Sequence, residues 1–133
     1  MRYLLDTHVW VWSVLGDRRL GPRARRTLAA LPPTERVGLA SISLKEAAWH
    51  LAHGRIAVSG MPWPSWLRQA SHAPTLEVLP LTVEVAIASE ELSARFPADP
   101  ADRLIAATAK VNRLTLVTAD RAIRDADEVP TLW

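Results

Sequence analysis

The chain has 133 residues, enough for one ordinary domain and too few for two. At 49% hydrophobic and 23% charged it has the composition of a folded globular protein, and with no cysteine it excludes disulfides, thiolate nucleophiles and zinc sites of the finger type. The formal net charge of +2 is small, but 14 of the 16 basic residues are arginine, the side chain best shaped for bidentate contact with phosphate, so a nucleic-acid partner is permitted without being required.

Met1-Arg2 ahead of an apolar stretch superficially suggests a secretion signal, yet Asp6 and His8 interrupt it and no small-residue cleavage site follows. No segment is long and apolar enough to span a bilayer, so no membrane partner is expected, and the lack of cysteine fits a reducing, cytoplasmic setting. The first element, "RYLLD", is a short apolar run ending in an acid, the pattern of a strand buried on both faces of a parallel sheet. "THVWVWSVL" then reads as a helix closed by Gly16, and "GPRARRTLAAL" as a second, started near Pro22 and stopped by Pro32-Pro33. "RVGLAS" is the next buried strand and "SLKEAAWHLAHG" a helix ended by Gly54.

Residues 54–74 are the least regular part, with Gly60, Pro62 and Pro64 marking turns before a short helix around Trp66 to Ala70. "TLEVLPL" is a third strand. "VEVAIASEELSARF" is amphipathic at helical spacing through Val83, Ile87, Glu90 or Glu91, and Ala94. "PADPADRLIAATAKVNR" follows as a helix, "LTLVTAD" as a fourth strand with Asp120 just past its end, then a short helix and "VPTLW" as a candidate fifth strand.

Strands alternate with helices almost throughout. That pattern predicts a single domain over 1–133 of the α/β class, a three-layer α/β/α sandwich with a mostly parallel sheet of four to five strands. In open parallel sheets ligands bind outside the carboxyl ends of the strands, and two strands here end in acids, Asp6 and Asp120.

Glu46 follows the second strand closely and is placed near the same edge. Its helix packs through Leu44, Ala47, Ala48 and Leu51, leaving Glu46 on the other side with Trp49 and His50, where a merely solvated glutamate would also stand. Asp102 flanks an expected buried stripe of Ala101, Leu104, Ile105, Thr108 and Val111, with Arg103 and Lys110 pointing outward. It lies in a first helical turn, where backbone N–H groups favour an anion. Asp99 before Pro100 has a sufficient explanation in capping, as the N-cap residue followed by proline at the first helical position, and stands as a secondary candidate for the site.

Four acids on one edge, Asp6, Glu46, Asp102 and Asp120, would repel one another unless a cation sat among them. Carboxylates without cysteine or a histidine cluster select Mg²⁺, or Mn²⁺, over zinc, and the associated chemistry is phosphodiester hydrolysis. Thr7, Ser43 and Thr118 lie beside three of the acids, where their hydroxyls either orient a ligand or water or serve as caps and turn residues.

At these residues the chain resembles the PIN-domain ribonucleases, in particular the VapC toxins of toxin–antitoxin pairs. The matching segments are "LLDTHVWVW", "SISLKEAA", "DPADRLIAATA" and "LVTAD", in order and over almost the whole chain, with a "GRI" step at Gly54 to Ile56 and an aromatic C-terminal end at Trp133. The resemblance implies a PIN-like sandwich and a Mg²⁺- or Mn²⁺-dependent endoribonuclease site at Asp6, Glu46, Asp102 and Asp120, with Asp6 and Asp102 the principal metal ligands. It further implies an RNA substrate, a cognate VapB-type antitoxin that occludes the site, and a homodimer. The chain departs from the family where Phe96, Pro97 and Ala98 precede "DP" and Ala101 lies within it.

Among other residues, Arg55, Arg103 and Arg121 are the better candidates for RNA phosphate contact, being near these segments, than the "RARR" cluster. His8 in a helical turn is expected to pack or cap, and His50, His53 and His72 to lie on the surface. Trp10 and Trp12 are expected under the sheet or at a dimer face, while Trp63 and Trp66 are candidates for base stacking, antitoxin contact or core packing. Two alternatives stand beside the nuclease. A non-catalytic PIN fold binding RNA or protein would not need all four acids, and an aspartyl-phosphate-type phosphatase would want an aspartate where the chain has His8.

Overall fold

The computed structural model describes residues 1–133. Its strands are β1 (Tyr3–Leu5), β2 (Val37–Ala40), β3 (Leu76–Leu79), β4 (Thr115–Val117) and β5 (Thr131–Leu132), each trimmed by a residue or more from the apolar runs that announce them. They form one sheet in the order β3-β2-β1-β4-β5, and every pairing is parallel. The helices are α1 (Thr7–Leu15), α2 (Pro22–Ala29), α3 (Ser41–Ala52), α4 (Trp63–Ser71), α5 (Val83–Glu91), α6 (Pro100–Val111) and α7 (Arg121–Ala126). The expected α/β sandwich is therefore present, with the fifth strand included.

The pleat divides the apolar residues between two cores. Leu5, Leu39, Val117 and Leu132 face one side, against Trp10, Ala47, Leu51 and Trp66; Leu4, Ala40 and Leu116 face the other, against Phe96, Ile105, Ala106 and Ile123. β1 is covered on both faces, which is why "YLL" shows no polar alternation. Local signals end the helices as expected: Gly16 takes the left-handed conformation at φ 64 that closes α1, and Asp99 accepts from the Ala101 and Asp102 amides to start α6.

The structure corrects several sequence expectations. α5 ends at Glu91 and buries Val85 and Ser89, while Val83 and Ile87 are exposed, because the 85–89–92 row is the one that meets α6. In α6 the buried residues are Ile105 to Ala109, and Val111 is exposed; small alanines let this helix approach the sheet over a broader arc than the expected stripe. Arg103 does not point outward. Its guanidinium folds back to donate to the carbonyls of Ser89 and Leu92, tying α6 to the end of α5. Trp66 is buried beside Trp10 at a ring separation of 6.2 Å, and Trp63 packs against the same core, so both serve packing.

These orientations set an expected contrast in stability. Ile105→Ala should cost about 2–5 kcal/mol in urea unfolding, whereas Ile87→Ala should stay within about 0.5 kcal/mol. Equal losses would mean that the buried face of α5 is the one its hydropathy suggests.

Candidate active site

The strand order places the site. The chain steps outward from β1 to β2 and β3, then returns to the other side of β1 as β4, so the reversal in direction falls between β1 and β4. A crevice opens at such a point, beyond the carboxyl ends of the two strands. Asp6 immediately follows β1, and Thr118 and Asp120 follow β4.

Asp6 is also the N-cap of α1 and accepts from the Thr7 amide at 2.8 Å. Its second oxygen accepts from the fully buried Thr118 hydroxyl at 2.7 Å, and Thr118 Oγ1 accepts in turn from the Asp120 amide at 3.1 Å. Asp120 caps α7 through the Ile123 amide at 3.1 Å. On the other flank the Thr7 hydroxyl donates to Glu46 Oε1 at 2.6 Å and lies 2.8 Å from Ser43 Oγ. Thr7 has one hydroxyl hydrogen, so Ser43 is the donor in the second bond. All three hydroxyls singled out in the sequence thus orient or brace carboxylates.

Asp6, Glu46, Asp99, Asp102 and Asp120 line one cleft of about 410 Å³, together with His8, Trp12 and His50, and no lysine or arginine lines it. Asp99 both caps α6 and faces the cleft, so the division between a capping and a chemical aspartate in "DPADR" is not strict. Burial raises the Asp6 carboxyl above the usual range against the opposing bonds from Thr118 and Thr7. Burial likewise raises Glu46, with the charges of Asp6 and Asp99 adding to it. Asp102 is pushed up to about 7, first by desolvation and then by the charges of Asp6, Asp99, Glu46 and Asp120. It accepts no hydrogen bond from the protein, unlike Asp6, Glu46, Asp99 and Asp120.

The five carboxylates suit a hard cation: they are oxygen donors, anionic, and no lysine or arginine competes for them. No trio of acids or histidines is drawn tightly enough to encage a metal by itself. An ion that keeps several waters, as Mg²⁺ does, needs only one or two carboxylates, so the lack of a closed protein cage is compatible with it.

Sequence reasoning missed three lining residues, His8, His50 and Trp12, the last expected under the sheet or at a dimer face but found half-buried in the cleft wall one turn along α1 from His8. His8 is exposed at the rim, and His50 is half-buried in the wall. The signal for His50 was its i, i+4 relation to Glu46, which puts both on one side of α3. Of the candidate phosphate contacts, Arg55 and Arg121 are exposed and outside the carboxylate cleft, and Arg103 is engaged with backbone carbonyls.

A parallel α/β sandwich with acids gathered at its switch point is the arrangement of the PIN domain, and the chain belongs to that family, whose model matches residues 3–129. Among individual proteins, Ribonuclease VapC22 of Mycobacterium tuberculosis (strain ATCC 25618 / H37Rv) is 39% identical over 122 residues, covering 91% of this chain and 88% of that protein. The same fold recurs in VapBC2 from Rickettsia felis, bound to a DNA fragment from its promoter, with TM-score 0.72, 18% identity and coverage of 99% and 98%. It recurs in FitAcB from Neisseria gonorrhoeae with TM-score 0.73, 24% identity and coverage of 98% and 96%. The sarcin-ricin-loop-cleaving toxin VapC20 of Mycobacterium tuberculosis matches with TM-score 0.68 at 20% identity, covering 94% of this chain and 95% of that one.

The raised Asp102 carboxyl fixes a sign for stability. Between its ordinary value of 3.8 and about 7 the folded protein holds a proton that the unfolded chain has released, so stability is highest below that window and falls as pH rises through it. The metal-free protein should therefore melt at a lower temperature at pH 8 than at pH 5, and Asp102→Asn should flatten the slope. Asp99→Asn keeps a good N-cap but removes one facing charge, and should lower the Asp102 titration midpoint seen by carboxyl NMR.

Proposed function

We propose that this PIN domain is a divalent-cation-dependent endoribonuclease, acting as the toxin of a VapBC-type toxin–antitoxin pair. The observation that carries the reading is the cleft of Asp6, Glu46, Asp99, Asp102 and Asp120 at the sheet's switch point, with no lysine or arginine among its lining residues. Support for RNA as substrate comes from the similarity to a protein named a ribonuclease over most of both chains. Support for an antitoxin partner comes from the neighbouring VapBC complexes. A homodimer and a cytoplasmic setting belong to the same proposal; no helix is long and apolar enough to cross a membrane.

In this reading Asp6 and Asp102 would hold Mg²⁺ or Mn²⁺, with Glu46 and Asp120 as further acids of the same cleft. When bound, such an ion supplies charge neutralisation at the phosphate and lowers the pKa of a coordinated water. The protein's own contribution is preorganisation. Thr118 fixes one Asp6 oxygen and the Thr7 amide the other, so the carboxylate cannot rotate. Thr7 fixes Glu46 in the same way, leaving its second oxygen to orient a water or the attacking nucleophile. Asp102, which has no such partner, is the carboxylate free to move onto an arriving ion or to hold a proton near neutral pH.

Antitoxin-free protein should cleave single-stranded RNA with Mg²⁺ or Mn²⁺, and EDTA should stop it. Asp6→Asn and Asp102→Asn should each lower the rate by about a hundredfold or more with the circular dichroism spectrum unchanged. Mg²⁺ should also raise the melting temperature at pH 7.5, by binding the folded state alone, and Asp102→Asn should reduce that gain. Cleavage that survives both substitutions would overturn the assignment.

A further inference from the structure

Beyond its carboxylates, the cleft is walled by rings. His8 and Trp12, one turn apart on α1, line it, and the same two side chains line a second hollow of about 300 Å³, which Arg19 and Arg55 also border. The two hollows are one groove leading out of the acidic site. His8 is exposed in it, with its ring 5.8 Å from Trp12 and 5.0 Å, edge-on, from His50.

Two guanidinium groups stand beside these rings, and they differ. Arg19 lies over Trp12 at 5.3 Å but spends its charge on Asp17, 2.8 Å away. Arg55 lies over Trp49 at 5.1 Å and takes part in no ion pair. Stacking on Trp49 holds Arg55 in place while its donors stay free for an anion.

A cleft that gathers five carboxylates and no lysine or arginine repels a phosphate chain except at a bound cation, so the strand needs a hold nearby. Single-stranded nucleic acid is held by a ring on which a base stacks and by a cation on its backbone, and histidine serves as such a ring. Resting on the ribonuclease reading above, we propose that the His8–Trp12–Arg55 groove binds one nucleotide of single-stranded RNA beside the scissile phosphodiester, its base stacked on His8 against Trp12 and its phosphate met by Arg55. The exposed lining is mixed, with His8, Arg19 and Arg55 beside Leu15 and Ala57 and Val11 buried at the floor, and it is the guanidinium groups beside the rings that favour a polyanion over an amphipathic peptide helix.

The test uses Asp102→Asn protein, which should bind without cutting, and short labelled oligoadenylate, oligouridylate and an abasic ribose-phosphate oligomer of equal length. Oligoadenylate should bind tightest and the abasic chain weakest, and oligoadenylate should quench tryptophan emission. His8→Ala should weaken oligoadenylate about fivefold or more and erase its advantage over the abasic chain. Arg55→Ala should weaken all three and flatten the salt dependence.

Equal binding of base-bearing and abasic chains, or His8→Ala and Arg55→Ala proteins that bind all three like their parent, would overturn the proposal. So would substitutions that spare RNA and weaken capture of the cognate antitoxin, which would make the groove a protein interface. In otherwise wild-type protein, His8→Ala and Arg55→Ala should raise KM more than they lower kcat. Cleavage with KM unchanged in both sinks the subsite and leaves the nuclease standing, whereas base-dependent binding by a protein that cuts no RNA sinks the nuclease instead.

Discussion

The parallel pairing of β1 with β4, Leu5 opposite Val117, is the constraint on which the rest of the molecule depends. It brings residues more than a hundred positions apart to the same level, so that the first residue beyond each strand can meet: Asp6 accepts from Thr118, and the Asp6 amide continues the ladder to the Val117 carbonyl at 3.0 Å. A slip of one residue would turn Leu4 and Leu5 to the wrong cores and carry Asp6 away from the Thr118 hydroxyl. Core and site are therefore fixed by one register. That coupling explains how a strand of three residues suffices at the centre of the sheet.

The same turns make the acids tolerable. Asp6, Asp99 and Asp120 are N-caps of α1, α6 and α7, and Asp102 lies in the first turn of α6, so the positive ends of three helices point at one cleft. Each such placement is worth about 0.3–1 kcal/mol to an anion near the surface. Against four neighbouring charges this is a partial offset only, and the residual strain collects on Asp102, the member without a hydrogen-bond donor. The folded chain alone thus favours a proton on Asp102 near neutrality.

Much of this was legible in the sequence because the signals were local. "RYLLD" and "LTLVTAD" carry strand, edge and acid together, and "DPADR" carries a cap, a proline and a first-turn acid; the parallel architecture then puts them side by side without further information. What could not be read was the choice among faces. α5 has apolar residues on two sides, and only its fit against α6 decides that Val85 is buried while Val83 and Ile87 are not. Arg103 reads as solvated because a helical wheel knows nothing of the carbonyls left open at the end of α5, which draw it inward. His8 was underrated for a similar reason: its partners Trp12 and His50 lie on two helices, and only their packing makes a surface of them.

Charge segregation joins the site to its surroundings. The net charge of +2 reads as near neutrality, yet five of the 14 acids are gathered in the cleft and none of the 16 basic side chains lines it. The remaining surface therefore sets all of its arginines and lysines against only nine acids. A polyanion approaching such a molecule is drawn to its exterior and repelled by its cleft. On the proposed reading, productive engagement would need two things the exterior cannot supply, a cation among the carboxylates and a grip on the strand at the rim. On that reading, selectivity for a particular single-stranded stretch would arise at the rim, because charge attraction to the basic exterior is blind to sequence and only contacts to bases can read it.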